Sequence, residues 1–368
     1  MKITDVTATE IVWPSGDDLK KYAPTGDWKF PPLYSNLIQV HTDEGIVGLG
    51  ETYPVGVTPL TSVIVKTALK PILVGENPFD VDRLWEKMYA ATWGYGRKGL
   101  PIIAMSGIDL ALWDIIGKAK KQSLTELLGG RHREKIRAYA SFPPWGRDPV
   151  KDVMKYIEQG FTAAKIKVWS VDDIKYIKSL RDAAGSDVDI MADGNCFHSR
   201  RSAKLVVKAC EKYDAYWFEE PYPPEDLKGM AELSASTNVL IAAGENEYTR
   251  WGFRDMIESR AVDVLMPDAI RSGGVSECIK IADQAEVYDI PCDIHIFELI
   301  GIGMAASLQL CAAIKNTLFG ETYTAGYGIQ KLFLKEPFEV KKGYYEVSKK
   351  PGLGVELDQK AMERYMVK

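Results

Sequence analysis

From about Lys135 onward the chain repeats one pattern eight times, a short apolar stretch of strand character followed by an amphipathic stretch of helical character. The apolar stretches are KIRAYASF, FTAAKIKV, DVDIMAD, AYWFEE, NVLIAAGE, VDVLMPD, IPCDIH and TLFGE. Such alternation gives parallel strands joined by helical crossovers, and eight units close into a barrel. The first third reads differently. Strands (ITDVTATEIVW, YSNLIQVHTD, IVGLGETY) precede helical stretches such as MSGIDLALWDIIGKAKKQ, the order of an α+β unit. Between its first two strands runs GDDLKKYAPTGDWKFPP, a loop long enough to serve as a lid. After about Gly328 the sequence returns to strand and turn character and is expected to pack back on the N-terminal unit.

In a barrel of this type the reacting groups sit at the C-terminal ends of the strands. The strand-end residues in order are Lys165/Lys167, Asp193, Glu219, Glu245, Asp268, His295 and Glu321. A titratable residue thus recurs once per βα unit, where chance would scatter such residues through helices and loops. Asp193, Glu219 and Glu245 end consecutive strands and should lie side by side. Three carboxylates that close repel one another unless a cation sits among them, and an oxygen-only donor set suits Mg²⁺. Each alone could be a solvated acid or a helix cap; the trio is better read as a metal site. Glu220 should face the other way and pair with a neighbouring cation. Asn195 shares the face of Asp193 and could hold a substrate hydroxyl or carboxylate.

In AAKIKVW the two lysines share one strand face while Ala164, Ile166 and Val168 share the other. On an edge strand the lysines would be a solvated face. A closed barrel has no edge, and the apolar face suits the helical layer, so Lys165 and Lys167 should point inward. Burial and the neighbouring ammonium would lower the pKa of Lys167, and the carboxylates would raise it; if the first two prevail, Lys167 is a base near neutral pH. His295 is one of four histidines. Adjacent strands lie about 4.8 Å apart, so Asp268 can orient its imidazole and raise its basicity; Asp293, one layer deeper, is a rival partner. Glu321 either caps a helix or donates a hydrogen bond to substrate.

A cation held by three carboxylates between two bases suits removal of the proton α to a carboxylate, because it stabilises the enediolate charge where that charge develops. A second base then either reprotonates the opposite face, giving racemisation or epimerisation, or protonates a departing β-hydroxyl, giving dehydration. The competing class is a non-catalytic barrel that binds a metal and an organic acid, which has no use for two bases. A net charge of -5 without a basic run argues against nucleic-acid or membrane-surface partners. The uncharged run Leu299–Ile314 is too short to span a bilayer and reads as a buried helix. The charged, alternating N-terminus is unlike a secretory signal, and the five cysteines form no C-x-x-C pair, so a cytoplasmic protein is expected.

These residues resemble the enolase superfamily, in particular its mandelate racemase-like branch. Ala104–Gly130 looks like the family's first signature, and Ile190–Pro221, from IMADGN to FEEP, looks like its second, with Cys210 where a larger aliphatic residue is usual. The resemblance implies an α/β fold, a (β/α)7β TIM-type barrel over residues 131–328. An α+β capping domain would span 1–130, and the segment 329–368 would return to that cap. It implies Asp193, Glu219 and Glu245 as Mg²⁺ ligands, Lys167 as a base with Lys165 as its electrostatic neighbour, His295–Asp268 as the second base, and Glu321 as the final-strand acid. The cap's loops, Trp13–Pro32 and Glu51–Val57, would choose the substrate, with Trp28, Lys29 and Tyr53 as contacts. The lactonizing and dipeptide-epimerising branches place a lysine near the position of Asp268, where this chain has MPDAIRSGG. The expected activity is dehydration of an acid sugar by a homo-oligomer, with a small hydroxycarboxylate as substrate.

Overall fold

The computed structural model describes residues 1–13, 33–53, 57–142, 149–324 and 328–367. Strands β1 (Ile3–Trp13), β2 (Leu33–Thr42) and β3 (Val47–Thr52) form an antiparallel sheet in that order. Its inner face, including Ile3, Val6, Ile38 and Val40, packs on the 21-residue helix Leu100–Lys120. Glycines permit that contact: a Cβ at Gly50 would lie 1.8 Å from the Gly107 carbonyl oxygen, and one at Gly48 would lie 2.0 Å from that of Ala111. The helix is long and apolar enough to cross a membrane, yet 89% of its most apolar window is buried inside the protein, as befits a core helix.

The barrel strands are β4 (Lys135–Phe142), β5 (Ala163–Lys167), β6 (Asp189–Asp193), β7 (Ala215–Glu219), β8 (Leu240–Ala243) and β9 (Val264–Leu265), paired in parallel in chain order. The eighth position, β10 (Gly320–Tyr323), pairs in parallel with β4 and closes the ring there. At the seventh position the expected strand is reduced to two isolated bridges, Leu265↔Cys292 and Asp268↔His295. Pro267 and Pro291 remove amide donors on either side of this seam, which prevents a continuous ladder. Side-chain bonds replace it toward the eighth position: the Asp293 carboxylate accepts the amides of Leu318 at 2.6 Å and Phe319 at 3.0 Å.

Ala164, Ile166 and Val168 are buried in the helical layer, while Tyr139, Met191, Trp217, Val264, Met266 and Phe319 fill the barrel interior. Lys165 stands above that floor, 5.3 Å from the centre of the Tyr139 ring. The C-terminal residues touch both bodies. A hairpin of β11 (Val340–Lys341) and β12 (Tyr344–Glu346) adds antiparallel to the start of β4. Farther on, Met366 bridges Ile11 of β1. Cap and barrel are also joined under the mouth: Asp109 of the Leu100–Lys120 helix accepts the Ser276 hydroxyl at 2.6 Å and its amide at 3.0 Å.

Candidate active site

The parallel register sets Lys167, Asp193 and Glu219 level across β5, β6 and β7. Glu245 follows β8 through Gly244, whose φ of +140° turns the backbone at a point where a Cβ would lie 2.9 Å from the Met266 amide nitrogen. Ligand oxygens of Asp193, Glu219 and Glu245 all lie within 4.8 Å of one another, so the three could hold one metal ion. Their donor set is all oxygen, which fits a hard divalent cation.

Both lysines enter this cluster. Lys165, 0% exposed, donates to Glu219 at 2.7 and 2.9 Å and lies 3.1 Å from Glu321 and 3.4 Å from Asp193. Lys167 donates to Asp193. On the far side, His295 Nδ1 pairs with Asp268 Oδ2 at 2.7 Å, and Asp268 Oδ1 accepts the Ile270 amide at 2.8 Å, which fixes the carboxylate. His295 Nε2 then faces Glu245 at 3.2 Å and Glu321 at 3.7 Å. Asp293, the rival partner, is turned away and occupied by the seam amides, where burial pushes its carboxyl up to about 7.

Burial opposes charge on each of these groups, and the neighbours decide the outcome. Burial works against the Lys165 ammonium, but Glu219 and Glu321 outweigh it and raise its pKa well above the ordinary value. At Lys167 burial and Lys165 pull down, yet Asp193, Glu245 and Glu219 together prevail and the net shift is upward. Set by side chains alone, then, the amine is held protonated, contrary to the condition under which it would be a free base. His295 is likewise raised, with Glu245 and Asp268 overcoming burial. Glu219 is pushed well up by burial and by Asp193, the crowding of like charges that a cation would relieve. Burial works against the Glu245 carboxylate, but the His295 charge and hydrogen bond, with Lys167 and Lys165, together hold it below the usual carboxylate range.

Lys167, Glu245, His295 and Glu321 line a cavity of about 280 Å³. Asn195 lines it too, its Oδ1 accepting from Trp169 Nε1 at 3.0 Å. Tyr53 reaches the cavity from the cap, stacked on Phe297 at 4.6 Å; Trp28 and Lys29 lie outside the described residues. Glu220 departs from expectation. Its partners are the Asn246 amide, at 2.9 and 3.1 Å, and the Cys196 thiol at 3.4 Å rather than a cation, and burial with Glu245 pushes its carboxyl up to about 8. Its φ of +42° takes it out of the strand alternation on which that expectation rested. Sequence reading also passed over Arg271, Asn246 and Phe297, which line the cavity. Arg271 donates to Asn246 Oδ1 at 2.9 Å and to the Tyr248 hydroxyl at 3.2 Å. The available signal was position: each lies one to three residues beyond a strand-end residue.

A parallel barrel with a carboxylate cluster at its mouth, packed against an α+β unit, defines an enolase-type architecture. Residues 35–129 match the family described as mandelate racemase / muconate lactonizing enzyme, N-terminal domain, and residues 149–361 match enolase C-terminal domain-like, so the chain belongs to the mandelate racemase/muconate lactonizing enzyme family of the enolase superfamily. Among its relatives, arabinonate dehydratase of Saccharolobus solfataricus is 34% identical over 92% of this chain and 92% of that protein. D-xylonate dehydratase of Haloferax volcanii is 35% identical over 90% of this chain and 85% of its own. The 3,6-anhydro-D-galactonate cycloisomerase of Zobellia galactanivorans superposes with a TM-score of 0.90 at 30% identity, covering 100% of both chains.

Proposed function

We propose that this protein dehydrates an acid sugar to a 2-keto-3-deoxy sugar acid by abstracting the proton α to the carboxylate. The observation that carries this reading is the pair of bases, Lys167 and the Asp268-oriented His295, lining one cavity beside the carboxylate trio. Relatives named arabinonate and D-xylonate dehydratase support the substrate class.

In this reading Asp193, Glu219 and Glu245 hold Mg²⁺, which would supply positive charge against the enediolate oxygens and offset the carboxylate field that holds protons on Lys167 and His295. Lys165, fixed by Glu219 and Glu321, keeps a permanent ammonium beside the site. One of Lys167 and His295 takes the C2 proton. The C3–O bond then breaks as the C2–C3 double bond forms, the other base gives its proton to the departing hydroxyl, and water leaves. The resulting enol takes a proton at C3 and becomes the keto acid. Asp268 keeps Nε2, not Nδ1, of His295 toward the cavity. The residues 1–130 act as a cap, with Tyr53 as a wall of the substrate cavity.

An isomerase outcome shares the first step and differs in the fate of the enediolate; the cycloisomerase neighbour favours it as the second reading. A non-catalytic acid-binding barrel would leave the two bases without a role. Incubation with Mg²⁺ and a library of aldonic and aldaric acids should yield a keto acid detectable with semicarbazide. Optical rotation changing without keto acid would favour the isomerase, and binding with neither change would favour the sensor. Asp268→Asn should lower kcat/KM about 100-fold or more while leaving Mg²⁺ affinity within about threefold, since it touches the base rather than the trio; unchanged turnover would remove the dyad from the mechanism.

A further inference from the structure

One buried carboxylate lies outside this machinery and joins the two bodies at the site. Glu51, 1% exposed at the end of β3, accepts the Ile300 amide at 2.8 Å on Oε1 and the Gly303 amide at 2.8 Å on Oε2; Oε1 also accepts the Ser35 hydroxyl at 2.9 Å. The barrel helix Ile302–Ala313 begins at Gly301, with φ +104°, and has no side-chain cap of its own. The cap domain therefore supplies, from some 250 residues away in sequence, an anion to the Ile300 amide just ahead of the helix and to the Gly303 amide in its first turn. Two residues beyond Glu51, Tyr53 stacks on Phe297 with ring planes 9° apart, and Phe297 packs on Tyr323 at 4.7 Å. Phe297 follows His295 by two residues and Tyr323 follows Glu321 by two. All three rings line the cavity.

We propose that Glu51 is a positioning residue: by locking the cap to the segment between His295 and the Ile302–Ala313 helix, it sets the Tyr53–Phe297–Tyr323 wall at the distance at which the substrate's carbon chain rests against it. The proposal rests on the acid-sugar reading for its substrate. The carboxylate does this because it bonds two successive elements at once. A glutamine in its place keeps one acceptor, sets its NH₂ against an amide donor, and frees the Ile300–Gly303 turn to shift the Phe297 ring.

The test is a double-mutant cycle on the full chain with Mg²⁺, reading KM and kcat separately for an acid sugar that the wild type turns over. Glu51→Gln and Tyr53→Leu should each raise KM about tenfold with kcat changed less than about threefold, and the double variant should be no worse than about twentyfold, because both act on one wall. Glu51→Asp, which keeps the charge, should recover part of the loss. Unchanged KM in folded Glu51→Gln, or KM effects that multiply to about a hundredfold in the double variant, would overturn the proposal, the second by assigning Glu51 to fold alone. Should Glu51→Gln fail to fold, Ser35→Ala takes its place in the same cycle; removing one donor to that carboxylate should raise KM about threefold and non-additively with Tyr53→Leu, and an additive or absent effect would overturn the proposal. Absence of wild-type turnover on every acid sugar, by contrast, overturns the proposed function itself, and the positioning role with it.

Discussion

Lys167→Ala should abolish measurable dehydration, with kcat reduced about 1,000-fold or more, while the protein stays folded and still binds Mg²⁺. The size follows from the loss of a positioned proton-transfer group, which contributes about 10²–10⁴-fold on its own, together with loss of the charge nearest Asp193. The fold should survive because Lys167 is not the sole partner of that carboxylate. Asp193 still has the Lys165 ammonium at 3.4 Å and receives the Asn195 amide at 2.9 Å. Steady-state kinetics on the best acid sugar, paired with Mg²⁺ titration calorimetry, checks both halves. Retention of more than a tenth of wild-type kcat would take Lys167 out of the reaction, leaving His295 as the single base.

Glu219→Gln should have the second largest effect, and on two observables. Removing one of the three carboxylates proposed to hold Mg²⁺ should weaken its binding about 100-fold, because ligand charge count sets affinity for a hard cation. It also removes the anion that holds Lys165 from two oxygens in a fully buried setting. Breaking a buried pair is costly, but Glu321 and Asp193 remain within ion-pair distance of the same ammonium, so the loss should stop at about 1–3 kcal/mol. Calorimetric Mg²⁺ titration and thermal unfolding report the two separately. Metal affinity unchanged in the variant would place the cation elsewhere, and chelation that leaves wild-type turnover intact would do so more broadly.

What could be read in the sequence was whatever obeyed a period. The inward lysines were legible because a two-residue alternation inside a closed barrel leaves only one face for Ala164, Ile166 and Val168. The carboxylate trio was legible because one strand-end acid per βα unit is a repeat. Departures came where the repeat breaks. Glu220 leaves the strand with a positive φ, so alternation no longer says where it points. The seventh strand dissolves between Pro267 and Pro291, and Asp293 bonds the next segment instead of competing for His295. Arg271, Asn246 and Phe297 sit on loops after strands, where no periodicity exists. The Glu51 contact with Ile300 and Gly303 could not be read at all, since it joins residues some 250 positions apart through backbone amides that no side-chain pattern advertises. The assignments of Trp28 and Lys29 fall outside the described residues.

Where solvent hydrogen ends up tests the central claim most directly. In ²H₂O with Mg²⁺ and a panel of acid sugars, the wild type should give a 2-keto-3-deoxy acid carrying one deuterium at C3. Lys167→Ala and His295→Asn, both folded, should give no product, and exchange at C2 of recovered substrate should be lost in the variant that lacks the residue taking that proton. Product without deuterium at C3, or C2 exchange persisting in both variants, would contradict the account.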